Sequence, residues 1–161
     1  MLLKNGRDFD ETFLSIALLI TIFITLLPFN TNALSNTLAN DIIYLDDGSY
    51  ITIELTWSEA RASGTKTGSK THRYYNSNGV EEWKAVLRGT FTYTGSSATC
   101  TAASCDVTIT NTNWYVVSKS ATKSGNAAVG ELTMGRKFLG ITVDKETINM
   151  RITCDANGNL S

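Results

Sequence analysis

Proline is almost missing from this 161-residue chain, Pro28 being the only one. No strand edge in the body of the protein is therefore blunted by proline, and that task falls to lysines such as Lys119, Lys123 and Lys137. There is one histidine, His72, which argues against a catalytic zinc site of the usual kind, built from two or three histidines. A Ser-His or Cys-His nucleophile would also have to use it. It lies in a polar run with Lys70, Thr71 and Arg73, and no Gly-x-Ser-x-Gly occurs anywhere, so a surface histidine is expected. Charge is sparse, at 18% of residues, and forms neither a basic stripe nor an acidic tail. That speaks against nucleic acid and anionic lipid as partners. No internal repeat is present, and no amphipathic helical period occurs after residue 40.

What is present begins with an uncharged apolar run over 14–29, interrupted only by Ser15, Thr21 and Thr25 among the polar types. Pro28 ends it, and Thr31 and Ala33 supply small residues at the −3 and −1 positions of a cleavage site. This pattern predicts a signal peptide over 1–33 and a single domain over 34–161. Asp8, Asp10 and Glu11 weaken the positive character that Lys4 and Arg7 give the leading segment. The run is also near the lower length limit for spanning a bilayer, so an uncleaved anchor holding an extracellular domain is the alternative. Secretion is the expectation, with membrane contact only through this segment. Beyond it the acidic and basic residues balance.

From residue 40 the chain reads as strand after strand. At 50–57, Ile51, Ile53, Leu55 and Trp57 share one face. At 81–94, Trp83, Ala85, Leu87, Phe91 and Tyr93 do the same, with Gly89 expected to mark a bulge or bend. At 147–154, Ile148, Met150, Ile152 and Cys154 alternate with polar residues. Further strands are predicted at 42–45, 71–75, 105–110, 114–119, 127–134 and 137–143, with turns at Gly135-Arg136 and Asp144-Lys145-Glu146. The small, polar, basic stretch 58–70 reads as a long loop or a solvated edge. About nine short strands at regular spacing predict an all-β fold, an antiparallel β-sandwich of immunoglobulin-like or similar kind.

Three cysteines in an exported chain allow one disulfide and one free thiol. A Cys100–Cys154 bond would close a loop of about fifty residues and contribute roughly 4 kcal/mol, against roughly 2 for Cys100–Cys105. Cys100–Cys154 is favoured because it ties the central strand to the last. Cys100–Cys105 is the alternative.

The motif search offers decoys. The stretch 64–71, GTKTGSKT, has three of the fixed positions of a phosphate-binding loop, but Ser69 replaces the second glycine and no helix follows. Asp155-Ala156-Asn157-Gly158-Asn159 imitates the start of a calcium loop with its glycine misplaced, so a turn is expected. A hydrolase would need a carboxylate pair such as Glu54 with Glu81 or Glu82, and nothing in the spacing supports one. No metal, cofactor or catalytic residue is expected. Tyr74-Tyr75 and Trp114-Tyr115 are adjacent aromatic pairs, so one member of each must face outward in a strand. These four are the candidate ligand-binding residues.

The stretches 89–100 (GTFTYTGSSATC), 114–125 (WYVVSKSATKSG) and 152–161 (ITCDANGNLS) resemble small, uncharacterised secreted proteins of Gram-positive bacteria. The resemblance implies an extracellular β-sandwich with a Cys100–Cys154 cross-link, and implies no activity. The function expected is that of a secreted or cell-surface, non-enzymatic interaction domain that binds a cell-wall glycan or a host or cell-surface protein. A small secreted hydrolase and a membrane-tethered structural domain are the alternatives.

Overall fold

The computed structural model describes residues 35–59 and 64–161. The expected export segment 1–33 lies outside the described residues. Eight strands follow in order: β1 (Ser35–Tyr44), β2 (Tyr50–Glu59), β3 (Thr65–Tyr75), β4 (Glu81–Tyr93), β5 (Ala98–Ile109), β6 (Trp114–Ser124), β7 (Ala127–Phe138) and β8 (Ile141–Thr153). They form an antiparallel β-sandwich. One sheet has the order β1-β2-β3-β4-β5 and the other β6-β7-β8. Each sheet is a sequential meander, and the chain changes sheet only between β5 and β6.

The core is the set of alternating faces that the sequence marks. Trp83, Ala85, Leu87 and Phe91 of β4 are fully buried. Leu132 and Met134 of β7 and Met150, Ile152 and Cys154 at β8 meet them from the other sheet. Gly89 shares this inner face. A Cβ there would meet the Phe91 ring at 2.6 Å and Ala128 at 2.8 Å, so the close approach of the sheets requires the glycine. The register shift between β4 and β5 falls just after it, between Thr90 and Phe91.

Three boundaries differ from the sequence reading. Most of the expected loop at 58–70 is strand: Lys66 through Ser69 pair with β2 on one side and β4 on the other. A Cβ at Gly68 would meet Leu160 at 2.6 Å, so the small residue makes room for the chain's returning end. The phosphate-loop decoy is thereby spent in ladder hydrogen bonds. The nine expected strands become eight because the turns predicted at Gly135-Arg136 and Asp144-Lys145-Glu146 lie inside β7 and β8. Of those charged residues Asp144 and Lys145 are exposed and Arg136 and Glu146 half-buried in strand, and the chain reverses instead at Leu139-Gly140. The calcium-loop decoy is a turn, as expected. Asp155 Oδ1 accepts from the amides of Asn157 and Asn159, both at 2.8 Å. Lys119 and Lys123 do lie exposed on β6, an edge strand.

The expected Cys100–Cys154 bond is not formed, and neither is Cys100–Cys105: all three cysteines are free and buried. The Cys100 and Cys154 amides flank the β6–β7 turn, donating to Gly125 O at 2.8 Å and Asn126 O at 3.0 Å. Their thiols go to separate acceptors: Cys100 Sγ donates to Ala102 O at 3.2 Å and Cys154 Sγ to Asp155 O at 3.5 Å. Burial pushes all three thiols above their ordinary value, which removes the thiolate that nucleophilic chemistry needs. Iodoacetamide is expected to modify the folded protein slowly, and to modify all three cysteines once guanidinium unfolds it. Modification of a single cysteine after unfolding would show a disulfide and contradict this arrangement.

Candidate functional site

Alternation divides each candidate aromatic pair. Tyr74 and Trp114 are buried. Tyr74 stacks on Trp83 at 5.3 Å between centroids, and Trp114 meets the Tyr74 ring edge-on at 5.1 Å. They are core residues and cannot touch a ligand. Tyr75 and Tyr115 are the outward members. Tyr75 stacks face to face with Tyr50 at 4.9 Å, and Tyr44 tilts against Tyr50 at 5.9 Å. This row follows the register of the sheet, Tyr44 opposite Tyr50 and Tyr50 opposite Tyr75. The sequence reading did not group Tyr44 and Tyr50 with Tyr75. Cross-strand register is what joins them. A sugar-stacking platform presents free ring faces, whereas here Tyr50 and Tyr75 cover each other. Tyr115 is engaged too: its hydroxyl lies 2.7 Å from Thr142 Oγ1, and Lys137 Nζ sits 4.7 Å over its ring.

Behind the aromatic core lies a buried carboxylate, Glu82. It accepts hydrogen bonds from Trp114 Nε1, from Asn76 Nδ2 at 3.0 Å and from Asn111 Nδ2 at 3.1 Å. Its backbone carbonyl accepts from the amides of Thr110 and Asn111, both at 2.9 Å. Burial pushes this carboxyl up, but the three donors and the charge of Arg136 outweigh it and hold the group below its ordinary value. Every oxygen is occupied, so Glu82 is a structural knot between β4 and the β5–β6 connection. Glu81 is paired with Arg73 at 3.1 Å. Glu54 sits opposite Thr71, four residues along β3 from Tyr75, the partner of Glu81. That is about 13 Å along the strand direction. The carboxylate pair a hydrolase would need is not assembled from these residues. Among the described residues no three His, Cys, Asp or Glu side chains converge on a metal-sized space.

The feature the sequence reading missed is the end of the β7–β8 hairpin. Lys137 pairs with Thr142 and Phe138 with Ile141, leaving Leu139-Gly140 as a two-residue turn. Both turn residues have positive φ, 48° at Leu139 and 82° at Gly140. A type I′ turn has this pattern, and asparagine-glycine is its preferred sequence. Leucine in the left-handed region is strained by roughly 1–2 kcal/mol. It is also 87% exposed, so no burial offsets the strain. Phe138, Ile141 and Val143 are 67%, 70% and 57% exposed. Pairing puts Phe138 and Ile141 on one face of the hairpin, and Val143 lies next to them at the register shift between Arg136 and Lys137. The opposite face, with Lys137 and Thr142, is held by Tyr115.

The hairpin belongs to the same end of the sandwich as the tyrosine row. Hydrogen bonds from Ser49 hold the Asp47 carboxyl, in the β1–β2 turn, below its ordinary value, and the nearby charge of Arg136 adds to this. Burial, then Asp144 and Asp47, push the Glu146 carboxyl up. The charges of the β1–β2 turn and of the hairpin's root thus act on one another, while the tip is exposed. Leu139→Asn is expected to raise stability by roughly 1 kcal/mol, read as a higher denaturation midpoint, because asparagine relieves the strain without losing a buried contact. A fall in stability would contradict the strained geometry.

No protein-family model, curated protein or solved structure matches the chain.

Proposed function

We propose that this domain is a non-enzymatic interaction module, secreted or held at the cell surface, that binds a protein partner through the apolar face of the β7–β8 hairpin. The observation that carries the reading is the strained, exposed Leu139 flanked by exposed Phe138, Ile141 and Val143. Soluble domains rarely leave contiguous apolar surface bare, and such patches mark interaction sites. Here a backbone cost is added to the solvation cost, and neither is repaid inside the fold. The apolar run at 14–29 supports export. The one-sided face favours a protein surface over a bilayer, since the reverse side is polar and braced by Tyr115. The covered faces of Tyr50 and Tyr75 disfavour a glycan. A patch of this size makes a weak, transient contact rather than an obligate one.

The partner class is tested by binding the exported, isotopically labelled protein to intact cells of the producing organism, before and after protease shaving. Saturable binding that shaving abolishes is expected. Binding that survives shaving would assign the partner to glycan or lipid and overturn the reading.

A further inference from the structure

The two sheets differ in width, and the difference opens a groove. Among the described residues, the backbones of β7 and β8 come close to β3, β4 and β5 while those of β1 and β2 do not, although the Ile51 and Leu55 side chains of β2 reach the shared core. The inner face of β1 and β2 therefore extends past the edge of the three-stranded sheet. Between it and β8 lies a groove of about 470 Å³. Its floor is the apolar pair Ile53 and Leu55, and its far wall is Asn149 and Arg151. Asp41, Ile53 and His72 stand in one register row across the sheet, with Lys70 opposite Leu55 in the next.

The inner face of a sandwich sheet normally carries apolar side chains. Here β3 turns Lys70 and His72 inward. His72 is not the surface residue the sequence suggests: it is only 6% exposed, and its Nδ1 has no hydrogen-bond partner. A buried polar atom left unpaired is costly. Burial pushes the Lys70 ammonium below its ordinary value, with Asp41 drawing it partly back. Burial and the charge of Lys70 lower His72 to about 4. Among the described residues neither Lys70 nor Arg151 forms an ion pair.

We infer that this groove is a binding site for a small anionic ligand bearing a carboxylate or phosphate group. Lys70 and Arg151 supply two cations beside the carboxylate of Asp41, and the His72 ring and Ser161 complete the lining. Ile53 and Leu55 give an apolar bed for the ligand's carbon skeleton. Bound negative charge would stabilise Lys70, whose burial Asp41 offsets only in part, and would favour the protonated imidazole. The site lies on the inner face of the sheet and is independent of the hairpin.

His72 is the only histidine, so its ring resonances can be followed without ambiguity. The exported protein is titrated at constant ionic strength with inorganic phosphate in one arm, succinate in a second and glucose in a third. Saturable shifts of the His72 signals by phosphate, by succinate or by both are expected, with the imidazole pKa rising from about 4. A response to phosphate alone assigns a phosphate group, and a response to succinate alone a carboxylate. Lys70→Gln and Arg151→Gln are each expected to weaken binding about tenfold or more. Arg151 is exposed, so its variant keeps the test valid if Lys70→Gln fails to fold. No saturable shift by either anion, undiminished binding in the folded Arg151→Gln variant, or a response to glucose alone would each overturn the assignment.

Discussion

Glu82→Ala is expected to lower stability at neutral pH by about 2–4 kcal/mol, since each buried donor left without an acceptor costs about 1–3 kcal/mol. The substitution strands Trp114 Nε1 and the side-chain amides of Asn76 and Asn111, all of which donate to this one carboxylate. It also loosens the seat of Trp114 against Tyr74 and Trp83. Glu82→Gln keeps the volume but turns one acceptor into a donor facing donors, so a loss of similar order is expected. The carboxyl is held below its ordinary value in the folded state. Its contribution is therefore fully present above the unfolded value and is lost as pH falls through the lower folded value. Urea denaturation at neutral and acid pH checks both statements. The wild type should lose stability on acidification across that window, and Glu82→Gln should lose less. A cost for Glu82→Ala within the roughly 0.5 kcal/mol of ordinary surface substitutions would contradict the knot.

Phe138→Ser/Ile141→Ser is expected to behave in the opposite way. Both side chains are largely exposed and belong to no buried cluster. Stability should therefore change by no more than roughly 0.5 kcal/mol. Binding should fall by about 30-fold or more, since a few anchoring side chains carry most of the energy of a small interface and truncating one costs about 2 kcal/mol. Leu139→Asn sharpens the contrast, because one substitution raises stability while removing the tip residue of the contact.

The fold class was legible because its core strands obey a simple period. Trp83, Ala85, Leu87 and Phe91, and again Ile148, Met150 and Ile152, alternate as a half-buried strand must. β3 broke the rule. Its inner face carries Lys66, Gly68, Lys70 and His72, so composition reads as solvent while pairing on both sides makes it central. No local pattern reveals that β8 reaches β3 and leaves β1 and β2 beyond its edge. The aromatic pairs were half legible: adjacency requires one outward member in each, but register alone selects Tyr75 and Tyr115. The hairpin was misplaced because Leu139-Gly140 carries a weak turn signal beside the conspicuous Asp144-Lys145-Glu146. The apolar residues around it then read as a core strand, and their exposure depends on where the partner sheet ends.

The β7–β8 tip is the proposed contact surface. The most direct measurement is a binding isotherm of the exported protein on intact producing cells for wild type, Phe138→Ser/Ile141→Ser and Tyr44→Ser. Tyr44 is 75% exposed on the tyrosine row and serves as the control at the same end of the domain. The expected result is saturable binding by wild type and Tyr44→Ser, with the double variant weakened about 30-fold or more at unchanged stability. Equal binding by all three proteins, or loss confined to Tyr44→Ser, would contradict it.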